Sequence, residues 1–434
     1  MTSPSTTPVH FGPGARPQEA VGEHWAELIG IGLFALMSIQ TWGSVTVLGQ
    51  FSLLLLLIMV RPWAAFDLVT RWSFLFAVPL MACLSAIWST APQISSRYGV
   101  QLLITALIGA LAARAVSPRA FVRVLFFSAL VVCVGSVLDG KTGSSATGMV
   151  LVGLTGSKNQ IAYVAQFVIT SAVAILADRQ QPQPVRIAAV LSLPLSLWLL
   201  VQSNASTGLV TTALGVSVFF GTWALMVTRP IYRAAMIGGM LAAMVPIAVA
   251  LPALNEAASE FTFNVLKKDA TLTGRTYLWA RADELISDRP VLGHGYRAVW
   301  LGSGADSIGL LRWAKVPDPR GFHFHDSYRE MAVDLGVTGA ALFAAGLLLI
   351  GAGLAFKAIT GPSIPTAYFL SLFAMLAMRS KGDLIIGPFS PFYAVQFSLA
   401  VYALRGAGTR LAAALEPKPA GPPRVRGAPP SRPA

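Results

Sequence analysis

The chain has 434 residues, of which 55% are hydrophobic and only 12% charged, and its mean hydropathy is +0.64. Soluble domains carry about 25% charged residues, so this composition excludes an ordinary soluble enzyme and describes a polytopic membrane protein. The formal charge of +13 lies in short basic clusters between apolar runs. Clusters of that kind set membrane topology and do not build a nucleic-acid face, which removes nucleic acid as a partner.

Residues 1–24 are rich in Pro, Ser, Thr and Gly and lack a basic stretch running into a short apolar core. They read as a disordered cytoplasmic tail and not as a signal peptide. A bilayer needs about 17 to 25 apolar residues per helix. Candidate spans fall at about 25–42, 44–60, 73–90, 99–115, 121–138, 160–177, 187–203, 208–227, 234–253, 334–356, 366–380 and 391–405, about twelve in all. The expected fold class is therefore all-α, a membrane helix bundle with spans 1–9 in residues 25–253 and spans 10–12 in residues 334–405. Cys83 and Cys133 both sit within apolar runs, where a thiol is a small buried hydrophobe, and two such residues make neither a disulfide framework nor a zinc pattern.

Alternate loops carry the basic residues: Arg61 and Arg71; Arg114, Arg119 and Arg123; Arg179 and Arg186; Arg229 and Arg233; Lys357; and a basic tail over 406–434. By the positive-inside rule that side is cytoplasmic and both termini lie on it, with the tail expected to be disordered. The opposite loops, including 139–159, 203–207, 381–390 and the long polar segment 254–333, then face the periplasm. Cytoplasmic nucleotides are poor substrates for a segment placed there, and no Gly-rich phosphate loop follows any strand-like run.

Within that segment, Leu278, Trp279, Ala282, Leu285 and Ile286 recur at helical spacing after Thr273-Gly274, which predicts an amphipathic helix over about 275–287. Arg289-Pro290 ends it, Gly293-His294-Gly295 makes a tight turn, and a further helix begins near Asp326 and runs into the tenth span. Arg275 at a helix start suits an anion site, because a guanidinium fork would join free backbone amides. Arg275 and Arg281 read equally as solvated or headgroup-facing residues. His323 and His325 would point the same way from an extended stretch. With His294 and Asp326 they could be considered metal ligands, but their irregular spacing is unlike a zinc site. A single histidine acting as proton acceptor and a headgroup-facing pair are the other readings. Arg97, Lys158 with Asn159, and Arg379 with Lys381 and Asp383 stand at span ends. Together they would ring an outward cavity with positive charge suited to an anionic, lipid-anchored substrate, although each alone could snorkel to the interface. No serine has a hydrolase-type Gly-x-Ser-x-Gly setting.

The run Thr273-Gly274-Arg275-Thr276-Tyr277-Leu278-Trp279, followed by Ile286, Pro290 and Gly293-His294-Gly295-Tyr296, resembles the large periplasmic loop of the O-antigen ligase and Wzy-type polysaccharide polymerase superfamily. His325-Asp326-Ser327-Tyr328 with Leu335-Gly336-Val337-Thr338-Gly339 resembles the superfamily's His-Asn block and its entry to the next span. Trp88-Ser89-Thr90-Ala91-Pro92 and Gly156-Ser157-Lys158-Asn159 are weaker matches. The resemblance implies a metal-independent, GT-C-like membrane glycosyltransferase of the bacterial inner membrane, with no cofactor. Its donor would be an undecaprenyl-pyrophosphate-linked oligosaccharide and its acceptor a glycan or lipid-linked hydroxyl, with chain-length regulator and export proteins as further partners.

By position, Arg275 would stabilise the pyrophosphate leaving group and His325 would activate the acceptor hydroxyl. Arg97, Lys158, Asn159, Arg281, Asp326 and Arg379 would contact substrate. Two departures stand out: His325-Asp326 replaces His-Asn, and Ser206-Thr207 replaces the Ser-Arg of ligases. The second phosphate-binding cation is thus absent from that turn, and Arg97, Lys158 or Arg379 are its candidate substitutes. With Ser203, the turn is more similar to the exopolysaccharide polymerase branch. Polymerisation of exopolysaccharide or O-antigen repeat units is the expected function, and ligation to lipid A-core is the nearest alternative. A lipid-linked glycan flippase is the alternative from another class. The large outer segment and the expected lack of broken span pairs argue against it.

Overall fold

A computed structural model describes residues 17–145, 148–229, 232–233, 235–236, 275–314 and 321–405. The expected ninth span at 234–253, apart from two of its residues, lies outside the described residues, as do 254–274 and the tail over 406–434. The described chain forms helices α1 (Pro17–Ser38), α2 (Ser44–Val60), α3 (Pro62–Arg71), α4 (Ala77–Leu84), α5 (Pro92–Ala115), α6 (Pro118–Asp139), α7 (Lys158–Ala177), α8 (Gln183–Gln202) and α9 (Ser206–Met226). After the undescribed stretch follow α10 (Arg275–Asp288), α11 (Ala298–Leu301), α12 (Ala305–Ala314), α13 (Ser327–Thr360), α14 (Ile364–Arg379) and α15 (Pro391–Leu404).

Helices α5 to α9 and α13 are long and apolar enough to cross a membrane, which makes six, or seven if the bent pair α2 and α3 is one span. Shorter apolar helices at Ser73–Ile87, Ile364–Arg379 and Pro391–Leu404 occupy three other expected spans. A polytopic helical protein is what these elements describe, although by length and composition they do not reach twelve spans. Three local expectations change. The first helix begins at Pro17, so part of the expected disordered tail is helical, with Gln18, Glu19 and Ala20 as good helix formers behind a proline suited to a first turn. Pro62 cannot continue α2, and α3 leaves it at 93°, so one broken pair exists where none was expected. The loop after α6 holds a two-stranded antiparallel hairpin, β1 (Thr142–Ser145) with β2 (Gly148–Leu151). Gly and Ser disfavour helix there, and Val150 gives the hairpin a buried side chain.

Helix ends follow the local chemistry. Ser117 accepts from the Ala120 N–H ahead of α6, Ser363 accepts from the Thr366 N–H ahead of α14, and the left-handed Gly140 closes α6. Helix α7 sits at the centre, buried almost continuously from Ile161 to Ile175. Helices α8 and α13 instead present bulky apolar side chains outward, among them Leu191, Trp198 and Leu348. Water would make such faces costly, whereas lipid tails do not. Buried hydroxyls tie the bundle: Ser171 to the Tyr368 hydroxyl at 2.6 Å, Ser371 to the Gly215 carbonyl at 2.7 Å, and Ser398 to the Gly109 carbonyl at 2.7 Å. Basic residues pair at one end of the bundle, Arg114 with Asp67 at 2.6 Å, Arg119 with Asp178 at 2.8 Å and Arg123 with Glu27 at 2.6 Å. The start of α5 lies about 36 Å from that end, given a rise of about 1.5 Å per residue, and there the polar segment docks.

Candidate functional site

The polar segment has a hydrophobic core of its own, in which Leu278, Ala282 and Leu285 of α10 meet Val299, Trp300, Leu310, Phe324 and Val333. The 3.6-residue spacing on α10 builds this core, and the helix spans the residues expected of it. Trp279 donates through its indole N–H to the Phe324 carbonyl at 2.9 Å, so α10 pins the stretch that carries His323 and His325. Arg329 reinforces the joint by pairing with Asp283 at 2.9 Å and stacking on Trp279 at 5.1 Å.

The segment is seated on the break between α4 and α5. Trp88 donates to the Leu292 carbonyl at 2.8 Å, Ser95 to the Tyr296 carbonyl at 3.0 Å, and the Tyr296 N–H to Ser85 Oγ at 3.0 Å. The glycines of the tight turn make that approach possible: Gly295 has φ 100°, and a Cβ on it would lie 2.2 Å from Ser89 Oγ. Gly336, with φ 69°, interrupts α13 where the turn crosses it, and a Cβ there would lie 2.2 Å from the Val291 carbonyl carbon. The His294 and Gly295 N–H groups then bond the Val333 and Asp334 carbonyls, which the break at Gly336 releases from the helical ladder.

The His323 and His325 rings lie together, tilted at 60° with centroids 4.3 Å apart, although the backbone between them is not the extended stretch expected, because His325 turns into the left-handed region. His323 Nδ1 accepts the backbone N–H of His325 at 3.0 Å, and its Nε2 lies 3.2 Å from Asp383 Oδ1. An acceptor at Nδ1 places the proton on Nε2, where it is donated to the carboxylate. His325 has φ +57°, a backbone costly for a residue with a Cβ, and the bond to His323 is what holds it.

Asp383 is shared with the membrane bundle. Its Oδ2 receives Arg379 Nη2 at 2.9 Å and the Tyr163 hydroxyl at 3.5 Å. Arg379 is only 3% exposed, its guanidinium held 3.1 Å from the Tyr163 ring centre and 3.7 Å from that of Phe392. Burial alone would raise Asp383, but the Arg379 charge and the bond from His323 together hold its carboxyl well below the usual carboxylate range. Burial, the neighbouring His323 and the positive charge of Arg275 push His325 the other way for a base, down to about 3. Arg275 thus acts on the imidazole of His325 from the start of the described part of α10, and it has no ion pair among the described residues.

The remaining expected site residues divide. Lys158 is half-buried at the first position of α7, on the same helix as Tyr163, and has no ion pair among the described residues; Asn159 beside it is exposed. Arg97 is exposed on α5 over the Tyr98 ring at 5.8 Å, and among the described residues no hydrogen bond or ion pair joins it to the cluster. The other three already have partners. Arg281 is paired with both Glu284 and Asp306. Asp326 caps α13, accepting the Tyr328 and Arg329 N–H groups at 2.8 and 3.2 Å. Arg379 is committed to Asp383. Tyr163 and Phe392 carried no sequence signal, being aromatic residues inside apolar runs, and His323 was one of several histidines.

His323, His325 and Asp383 each bring one ligand atom within 4.8 Å of the others, so geometrically they can surround a cation. Charge works against it, because Arg379 already neutralises the only carboxylate of the three and Arg275 adds a second positive charge beside them. The donor set fits a divalent ion poorly, and no step is derived through one.

Residues 189–344 match a family described as O-antigen ligase, a stretch that runs from α8 through the docked segment into α13 and holds Arg275, His294, His323 and His325. Exopolysaccharide production protein ExoQ of Rhizobium meliloti (strain 1021) is 29% identical over 324 residues, covering 72% of this chain and 72% of that protein.

Proposed function

From the premise that the chain is a member of the O-antigen ligase and Wzy-type polysaccharide polymerase superfamily, we propose that it transfers an undecaprenyl-pyrophosphate-linked glycan onto an acceptor hydroxyl and so polymerises exopolysaccharide repeat units. The observation that carries this reading is an Arg275 without an ion pair among the described residues, whose charge falls on a half-buried His325. A cation whose field reaches an uncharged base supplies the two kinds of group that displacement of a pyrophosphate requires.

In this mechanism the acceptor oxygen bonds to the anomeric carbon while the bond from that carbon to the phosphate oxygen breaks. The electron pair leaves with the pyrophosphate, and the acceptor proton passes to the free ring nitrogen of His325. Arg275 binds the phosphate oxygens, with Lys158 as the second cation and Asn159 beside it. Lys158 is preferred over Arg97 and Arg379 because Arg97 lies away from the cluster and Arg379 is buried on Asp383. Arg379, Asp326 and Arg281 then position the site through Asp383, the α13 cap and the α10 to α12 contact. No ATP is consumed, since the leaving group is already activated.

Burial is the main cause of the low basicity of His325, followed by His323; an anionic pyrophosphate beside Arg275 would offset the smaller contribution of that guanidinium and so make the imidazole a better base when donor is bound. This couples proton removal to donor occupancy.

The paired basic end of the bundle supports a cytoplasmic placement for that face and for both termini, with the docked segment in the periplasm and the chain in the bacterial inner membrane. The similarity to an exopolysaccharide production protein supports an exopolysaccharide product, whereas the family description supports ligation, in which only the acceptor differs. Purified protein in lipid nanodiscs, given undecaprenyl-pyrophosphate oligosaccharide, should lengthen it. An unaltered donor in the presence of both a second donor molecule and a lipid A-core acceptor would refute transfer.

A further inference from the structure

A cleft of about 630 Å³ opens between the start of α5, the turn at His294 and the connection from α11 to α12. It touches α10 at Leu285, about 15 Å along the axis from Arg275 at about 1.5 Å per residue. Its volume is that of a ligand site, within the usual range of about 300 to 1,000 Å³.

The walls describe the ligand. Ile94, Leu285 and Val299 supply apolar surface, while Gln93, Ser303 and His294 bring polar groups to it. Gln93 and Ser303 make no side-chain hydrogen bond among the described residues. His294 is only 6% exposed and bonds the Leu285 carbonyl through Nε2 at 2.9 Å, which leaves Nδ1 as an open acceptor. The imidazole is thus fixed in orientation at the cleft wall, with one ring nitrogen left to accept a hydrogen bond. Among the described residues no cation lines the cleft for a phosphate, and Asp306, which does line it, brings a carboxylate whose partner is Arg281. Mixed hydroxyl, amide and imidazole groups over an apolar floor fit a neutral, hydroxyl-rich ligand, whose ring C–H faces meet the floor and whose hydroxyls meet the rim.

We propose that this cleft binds the oligosaccharide several sugars away from the reacting carbon, as a neutral glycan subsite separate from the pyrophosphate site. The proposal rests on the glycan-transfer reading for its ligand class, and binding can be measured without turnover. Gly304 borders the cleft, and a Cβ on it meets nothing within 4 Å; the same holds for Gly309, which does not line the cleft. Gly304→Trp therefore fills the cleft without backbone strain, and Gly309→Trp is its control.

The probe is the soluble oligosaccharide mixture released by mild acid from the polysaccharide exported by the source organism, titrated onto full-length protein in nanodiscs by calorimetry. Wild type, Arg275→Ala and Gly309→Trp should bind it alike. Gly304→Trp should weaken binding at least tenfold, and Gln93→Ala with Ser303→Ala should weaken it severalfold with an unchanged melting temperature. Absence of saturable binding to wild type, or equal binding by Gly304→Trp and the double variant, overturns the subsite. Transfer activity separates the two readings. Activity with cleft-independent binding removes only the subsite, and cleft-dependent binding by a protein that never transfers glycan removes only the transferase reading.

Discussion

His323 Nδ1 accepts the backbone N–H of His325 at 3.0 Å while its Nε2 faces Asp383 at 3.2 Å, so one imidazole joins a strained backbone to a carboxylate anchored in the bundle. In the proposed reaction His323 is a positioning residue. His323→Ala should lower kcat about 100-fold, the scale of a displacement of about 1 Å at a reacting group, with a smaller change in KM. His323→Asn, which can still accept the His325 N–H, should recover part of the loss. Equal loss in both variants would show that the accepted bond is not what matters.

Removal of the reacting groups themselves should be more severe. Arg275→Ala should cost about 10²–10³-fold in kcat, as for loss of one group that stabilises developing charge. His325→Ala should cost about 10²–10⁴-fold, the range for a general base. Arg275→Lys should recover little, because an ammonium lacks the guanidinium fork. Normal polymer length from cells carrying the Ala variants at wild-type membrane abundance would contradict the assignment.

Acidity reaches the site through two groups with the same sign. His325 binds a proton only near pH 3 in the folded protein, below its ordinary value near 6.5. The unfolded chain therefore holds more protons between those values, and stability falls as pH drops through that interval. Asp383, held below the usual carboxylate range, adds stability above its ordinary value near 3.9 that is lost as pH falls further. Thermal melts in detergent should decline as pH falls from about 6.5 to 4, and His325→Asn should flatten that decline. A slope unchanged by the substitution would remove His325 as its source.

Asp383→Asn should be strongly destabilising, because it leaves the Arg379 guanidinium charged and buried between Tyr163 and Phe392. Breaking a buried pair from one side costs about 3–5 kcal/mol. A melting temperature equal to wild type would show that the Arg379 to Asp383 bond is not structural. Gly336→Ala should also lower the melting temperature, since φ 69° and ψ −174° suit only glycine and the added Cβ would press on the Val291 carbonyl. The backbone alone costs about 1–3 kcal/mol.

Chelators should leave glycan transfer unchanged. The only arrangement able to hold a cation among the described residues is His323, His325 and Asp383, and its carboxylate is engaged by Arg379. Loss of turnover on prolonged EDTA treatment, restored by one divalent ion, would replace the imidazole-base mechanism with a metal-assisted one.

Composition and hydropathy by themselves determine a polytopic helical membrane protein, because burial in lipid demands long apolar runs that any reader of the chain can see. Local patterns likewise determine α10, whose apolar residues recur at 3.6, the tight turn at Gly293 and Gly295, and the start of α13 at Asp326, whose side chain caps it. Arg275 and His325 stand out through motif chemistry. Only the tertiary structure decides that His323 is held by Asp383, that Arg379 is buried on that carboxylate, and that Tyr163 completes the cluster. These contacts join positions as far as 220 residues apart, as Tyr163 and Asp383 are, and no periodicity or spacing within a run encodes a pairing across separate helices. The candidate second cation shows the same division: the chain offers Arg97, Lys158 and Arg379 alike, and only the tertiary structure shows Arg379 buried on Asp383 and Lys158 half-buried without an ion pair among the described residues.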